Sequence, residues 1–508
     1  MSPETAVWLS LAIPMAGAPL IGLCGRYPNV REGVTLVTAG LLFATVASLL
    51  PEVLNGARPA VTLIETLPGL PIHLAVEPLG MIFAAVASFL WIVNSIYSIG
   101  YMRGNNESHQ TRYYICFALA LGGTIGVAFA GNMLTLFIFY EVLTLSTYPL
   151  VTHKGNREAV MAGRTYLGIL LCTSIGLQLV AVIWTWTATG TLDFTPGGIL
   201  AGKVEGPEVG ILLFLYMFGI GKAALMPVHR WLPAAMVAPT PVSALLHAVA
   251  VVKAGVFTVV KVIVYIFGLD LLNASANTDW LFYIAGFTIL VASIIALNQD
   301  NLKRRLAYST VSQLSYVIMA AAILAPLSAV GAALHIAAHA FGKITLFFAA
   351  GSIYTAAHKQ QISQLDGIGR RMPWTMAAFA VGSLSMIGVP PTAGFLSKWY
   401  ILLGAFEAQH MAAIAVIFLS TLFNAAYFLP IVYQAFFRAP ASVGSGHGGE
   451  SGGESGDKAP AESHDQEHGE APWPIVVALT ITAIGTVVLF FLPQVPLDLA
   501  WDMIGGET

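Results

Sequence analysis

Apolar residues run in long blocks along nearly the whole chain, and a helix needs about 20 of them to cross a bilayer. The pattern predicts fourteen spans, at about 5–25, 33–51, 78–101, 113–130, 132–151, 164–187, 208–227, 241–266, 280–298, 305–324, 328–355, 374–403, 411–437 and 473–493. Several connections are only a few residues long, so those neighbours run antiparallel. One connection is different in kind. Residues 439–472 are rich in Gly, Ser, Glu and His and read as a polar, low-complexity cytoplasmic loop with no core of its own.

Composition supports a polytopic all-α membrane protein. The chain is 57% hydrophobic and 10% charged, against about 25% charged in soluble domains. No basic patch lies outside short loops, which argues against a nucleic-acid partner. The lipid bilayer is the implied environment. Cys24, Cys116 and Cys172 lie in or beside apolar spans without paired spacing, and read as small core hydrophobes. The first apolar stretch follows Glu4 and no positive residue, so it reads as a retained helix and not a cleaved leader. With the N-terminus outside, the alternating inside loops collect sixteen Lys and Arg and the outside loops two, Arg58 and Lys203. That bias predicts an inner (cytoplasmic) membrane protein with both termini on the outer, periplasmic side.

Five basic residues fall within spans: Lys222, Lys253, Lys261, Lys343 and Lys398. All are lysines. A buried lysine can give up its proton and an arginine practically cannot, so a path that loads and releases protons would use lysine. An ionisable group at membrane depth costs about 2.5–3.5 kcal/mol on insertion scales and is read as functional by default. Lys261, near the outer end of its span, reads as a snorkelling side chain. Glu141 is the clearest carboxylate at mid-depth, and Lys222 is its candidate partner. His335, His339 and Lys343 recur every four residues and share one helix face. Such a stripe suits a water wire, or helix-packing hydrogen bonds. His247 precedes Lys253 and reads as part of the same path, or as a satisfied core histidine.

Prolines mark breaks beside these lysines. Pro227 follows Lys222, and Pro239 and Pro241 precede His247. Pro390 and Pro391 sit in the break GVPPTAG, with Lys398 just beyond. Spans 7 and 12 therefore share a break and a lysine while running in opposite directions, the pattern of inverted repeats with a site at the broken helices. This predicts N-terminal helices over 1–112, a first five-helix repeat over 113–266, a second over 280–437, the polar loop, and a C-terminal helix and tail over 473–508. No phosphate loop, dinucleotide fingerprint or cysteine cluster occurs. No cofactor, metal or catalytic residue is expected, and His447, His464 and His468 read as part of a solvated linker.

The stretches GKAALMPVHRWLPAAMVAPTPVSALLHAVAVVKAG, FYEVLTLSTYPLV, NLKRRLAYSTVSQLSY, LHIAAHAFGKITLFFAAGSIY and GVPPTAGFLSKWYILLGA resemble the Mrp-type antiporter family, over about residues 75–437. That family includes subunits of multisubunit cation/proton antiporters, the antiporter-like subunits of respiratory complex I and subunits of membrane-bound hydrogenases. The resemblance implies fourteen helices, inverted five-helix repeats and discontinuous helices 7 and 12. It implies a proton pathway of Glu141, Lys222, His247, Lys253, His335, His339, Lys343 and Lys398. It also implies partner membrane subunits and transport of protons with Na+ or K+. At position 398 the resemblance implies lysine for antiporter D subunits and for some complex I subunits, and glutamate for others, and the chain looks closest to the D type. The alternative is a proton-pumping subunit of an NADH-quinone oxidoreductase or a membrane-bound hydrogenase.

Overall fold

A computed structural model describes residues 1–67, 69–439 and 469–505. The main helices are α1 (Pro3–Leu23), α2 (Pro28–Leu54), α3 (Pro78–Gly104), α4 (Gln110–Ala128), α5 (Met133–Val151), α6 (Arg157–Thr189), α7 (Pro207–Gly219), α8 (Thr240–Phe267), α9 (Trp280–Leu297), α10 (Leu302–Ala322), α11 (Pro326–Ala357), α12 (Pro373–Ile387), α13 (Ala393–Glu407), α14 (Met411–Phe437), α15 (Trp473–Phe491) and α16 (Gln494–Met503). Eleven of the described helices are long and apolar enough to cross a membrane, and α7 and α12 are shorter apolar helices. The fold is an all-α polytopic membrane bundle.

Both expected breaks are present. The seventh span stops at Gly219 and resumes only as short turns through Trp231, Ala234 and Val237. The twelfth stops at Ile387 and restarts as α13 at Ala393. Backbone irregular at membrane depth must be enclosed by protein or line a wet cavity. Here it is enclosed. A Cβ on Gly255 of α8 would lie 2.3 Å from Ala223 N, and one on Gly394 would lie 1.7 Å from Ser385 O. Only glycine lets these segments approach so closely.

Inverted symmetry is visible in the backbone. Asn132 caps α5 through Thr135 N at 2.8 Å, and Asn301 caps α10 through Arg304 N at 3.0 Å. Met133 N donates to Leu192 O at 2.9 Å, and Leu302 N donates to Gln360 O at 2.9 Å. Each repeat thus clamps the start of its second helix to the segment after its third.

The core is centred on α8 and α11. Every residue of α8 is buried, and so is every residue of α11 from Ser328 to Ile353. Helix α11 packs against α3, α8, α10, α12, α13 and α15.

Several expectations need correction. Between α2 and α3 lies an antiparallel hairpin, β1 (Ala60–Leu67) with β2 (Leu70–Ala75), where a plain loop was expected. It docks on the end of α4 through Ala75 N to Phe129 O at 2.7 Å. Pro239 and Pro241, which precede His247 in the sequence, open α8: Pro239 is its N-cap and Pro241 stands in its first turn, where a missing N–H costs nothing. Trp231 is fully buried and donates Nε1–H to Gly221 O at 3.0 Å. Cys172 is exposed on α6, and Cys24 and Cys116 are only half-buried, so none is a core residue. Most of the polar loop, residues 440–468 with its three histidines, lies outside the described residues.

Candidate functional site

The site is a line of polar side chains inside the bundle, held by α5, the α7 break, α8, α10, α11 and α13. It starts at α5. Lys222 lies in the break after α7, fully buried, beside the neighbouring residue Ala224, which adopts positive φ. Its Nζ donates to Tyr140 O at 2.7 Å and to Thr144 Oγ1 at 2.5 Å, and stands 3.1 Å from the centre of the Tyr140 ring. Its backbone N–H donates to Tyr140 Oη at 3.0 Å. The expected ion pair with Glu141 is not formed. Lys222 is bonded to neutral oxygens of α5 instead, and both carboxylate oxygens of Glu141 are buried and left without a partner among the described residues.

The next element is α8. A π-helical segment, Leu245–Val249, carries His247; such bulges recur at functional sites because they re-aim side chains. Neither ring nitrogen of His247 has a partner among the described residues, and the ring packs 4.8 Å from Phe347. Lys253, two turns on, is 1% exposed and meets His339 of α11, Nζ to Nδ1 at 2.6 Å.

The stripe on α11 continues the line. The His339 and His335 rings are 6.0 Å apart. His335 Nδ1 pairs with Ser397 Oγ at 2.8 Å, and Nε2 pairs with Gln313 Oε1 at 3.1 Å. Gln313 Nε2 donates to Met386 O at 3.4 Å, and Lys398 Nζ donates to the same oxygen at 2.8 Å. Lys398 also donates to Ile387 O at 3.1 Å. These carbonyls are free to accept because α12 ends there, leaving its last oxygens without helical partners. A side branch holds Lys343, whose Nζ donates to Ser309 Oγ at 2.7 Å. Tyr427 Oη reaches the same hydroxyl at 3.0 Å and also bonds Asn424 Oδ1, which accepts from Gln313 at 3.3 Å.

The structure therefore brings Lys253, His335, His339 and Lys398 into one line, with Lys343 on a branch. Glu141 and Lys222 form a separate centre, and His247 stands apart. Tyr140, Thr144, Ser309, Gln313, Ser397, Asn424 and Tyr427 were not identified from sequence. Their only signal is small: neutral polar residues spaced a few positions apart in otherwise apolar helices.

Lys261 is not the snorkelling side chain expected. It is fully buried, 2.8 Å from Glu77 Oε2, donates to Ala130 O at 2.9 Å and lies 3.8 Å from the Phe194 ring centre. Another buried cluster lies where α2 meets α3. Arg31 and Glu32 are each 4% exposed and 3.2 Å apart, and Arg103 also donates to Glu32.

Residues 130–424 match the family described as NADH:quinone oxidoreductase/Mrp antiporter, TM. The NADH-quinone oxidoreductase subunit N of Desulforudis audaxviator (strain MP104C) is 31% identical over 491 residues, which are 96% of this chain and 95% of that protein. The NADH-ubiquinone oxidoreductase chain 5 of Metridium senile is 31% identical over 509 residues, 97% of this chain and 79% of that protein. Among solved structures, a chain of the Mrp complex from Dietzia sp. DQ12-45-1b superposes with a TM-score of 0.84 at 21% identity, covering 99% of this chain and 97% of that one.

Proposed function

This chain belongs to the NADH:quinone oxidoreductase/Mrp antiporter family, and from that premise we propose that it is the proton-translocating subunit of a multisubunit Na+ or K+/proton antiporter, of the D-subunit type. One observation carries the reading: the polar line from Lys253 through His339, His335 and Gln313 to the carbonyl oxygen that Lys398 shares. Two steps stay open, between the two imidazoles and at Met386 O, which accepts from both Gln313 and Lys398 and cannot itself pass a proton; bridging water would have to carry the proton across each.

A proton loaded from the inner side reaches Lys253 through water past His247, whose free nitrogens can relay it. Lys222 sets whether Lys253 keeps it. With Lys222 turned toward Glu141, its charge is neutralised and Lys253 holds its proton. With Lys222 turned back to Tyr140 and Thr144, as here, its field drives the proton on to His339 and toward Lys398. The face carrying Lys154, Lys303 and Lys359 is the cytoplasmic one in this reading.

The alternative, a pumping subunit of an NADH-quinone oxidoreductase, is supported by the near full-length similarity to a protein of that name. The test is cation-dependent ΔpH in inverted vesicles holding the whole complex, wild type beside Lys253→Ala. If Na+ or K+ dissipates ΔpH in wild type and not in the variant, the antiporter reading stands. If cations do nothing and a reductant drives Lys253-dependent proton uptake, the pumping reading replaces it. Unchanged transport in a folded Lys253→Ala complex defeats both.

A further inference from the structure

One large cavity lies outside the line of lysines. It measures about 690 Å³ and sits between the segment after α5, the segment leading into α8, the start of α10 and the end of α11. That volume is within the usual range for small-ligand sites, about 300–1,000 Å³. Four cations line it: Lys154, Lys303, Arg304 and Lys359. Glu158 is the one carboxylate among its lining residues, and Glu107 is the next one close enough to feel Lys154 and Lys303. Among the described residues, none of the four cations forms an ion pair. Lys303 Nζ donates to Ala238 O at 2.6 Å, and an ammonium has three protons to give.

Cations crowded together without counter-charge repel one another and raise the free energy of the folded state. An anion bound among them would relieve that, and phosphate oxygens accept charge-assisted hydrogen bonds from lysine and arginine. The cavity wall is not uniform. On its α6 side Glu158 stands in the first turn and Met161, Ala162 and Thr165 follow it toward the bilayer, with Met161 54% exposed. A basic cup with an apolar flank at the end of a transmembrane helix suits a phosphate group carried at the membrane surface.

We infer that this cavity binds a phosphate-bearing anion, held by Lys154, Lys303, Arg304 and Lys359. Thr240, the first residue of α8, is part of the cavity lining, so the anion would stand at the head of the helix that carries His247 and Lys253. The four cations outnumber the Glu158 carboxylate and would repel hydronium, and the bound anion would weaken that local field. This consequence rests on the proposed proton path; the binding itself does not.

The test uses the whole purified complex, stripped of lipid. Short-chain phosphatidylglycerol and phosphatidylcholine are titrated in, and occupancy is read by native mass spectrometry with and without millimolar inorganic phosphate. Wild type should bind phosphatidylglycerol at least about tenfold more tightly than phosphatidylcholine, and Lys154→Gln/Lys359→Gln should lose that preference. Lys154→Arg/Lys359→Arg should keep it, which separates lost charge from lost fold. If inorganic phosphate does not displace the lipid, the source is a headgroup; if it does, the site takes free phosphate. Equal binding of the two lipids by wild type, or an undiminished preference in the Gln variant, overturns the inference.

Discussion

The two repeats handle buried charge in opposite ways. In the first, two of the three buried lysines have a carboxylate near them, Lys222 with Glu141 and Lys261 with Glu77; the third, Lys253, meets His339 of the second repeat and belongs to the line there. In the second, Lys343 and Lys398 are satisfied by hydroxyls and carbonyl oxygens alone, with no carboxylate ion-paired to either among the described residues. Charge with a fixed opposite partner has two stable arrangements, apart and together. Charge held only by neutral dipoles can come and go. The first repeat is thus built to switch and the second to conduct, although their backbones share one design.

The largest effect expected on this contrast is at the static pair. Lys261→Met strands Glu77, and breaking a buried pair costs about 3–5 kcal/mol. The melting temperature of the complex should fall markedly, and adding Glu77→Gln should restore most of it. No recovery in the double variant would mean that the pair is incidental.

Next comes the conduit. Gln313→Leu keeps the volume but unties His335, Asn424 and Met386 O. Transport should fall about a hundredfold, the scale of a lost proton-transfer partner, with little change in melting temperature.

A smaller effect tests the base of the first repeat. His153, just beyond α5, is 1% exposed, and burial together with Arg112 lowers its pKa to about 4. A histidine held neutral when folded takes up a proton on unfolding. Stability is therefore full above about pH 6.5 and declines as pH falls from there toward about 4, by on the order of 2–3 kcal/mol. His153→Phe should flatten that slope in melting temperature against pH.

The smallest effect is at the switch. Thr144→Val removes one of two acceptors of Lys222 Nζ. Because Tyr140 O remains, the rate should change only about two- to threefold. A loss as deep as that of Gln313→Leu would erase the distinction between switch and conduit.

What the sequence shows plainly is what costs free energy in a membrane. The lysines at membrane depth and the proline breaks stand out because each is expensive there, and the span pattern follows from bilayer thickness alone. What it hides is whatever depends on a distant partner. Lys261 looks like a snorkelling side chain until Glu77, far away in the chain, is placed beside it. Gln313, Ser397 and Asn424 look like ordinary packing residues, because only the crossing of α10, α11, α13 and α14 makes them neighbours. The β1–β2 hairpin is short, and its alternation is easily taken for a loop between two stronger helical signals. Glu141 was legible as an intramembrane carboxylate. That its lysine would be bonded elsewhere was not.

Helix α11 is enclosed in part by α15, the last long helix of the described chain. Ser385 of α12 and Thr486 of α15 also join there, Oγ to Oγ1 at 2.9 Å. A ribosome releases α11 well over a hundred residues before α15 is complete. Until then the face of α11 that carries Phe341, opposite the histidine stripe, lacks the cover that Gly485 of α15 gives it.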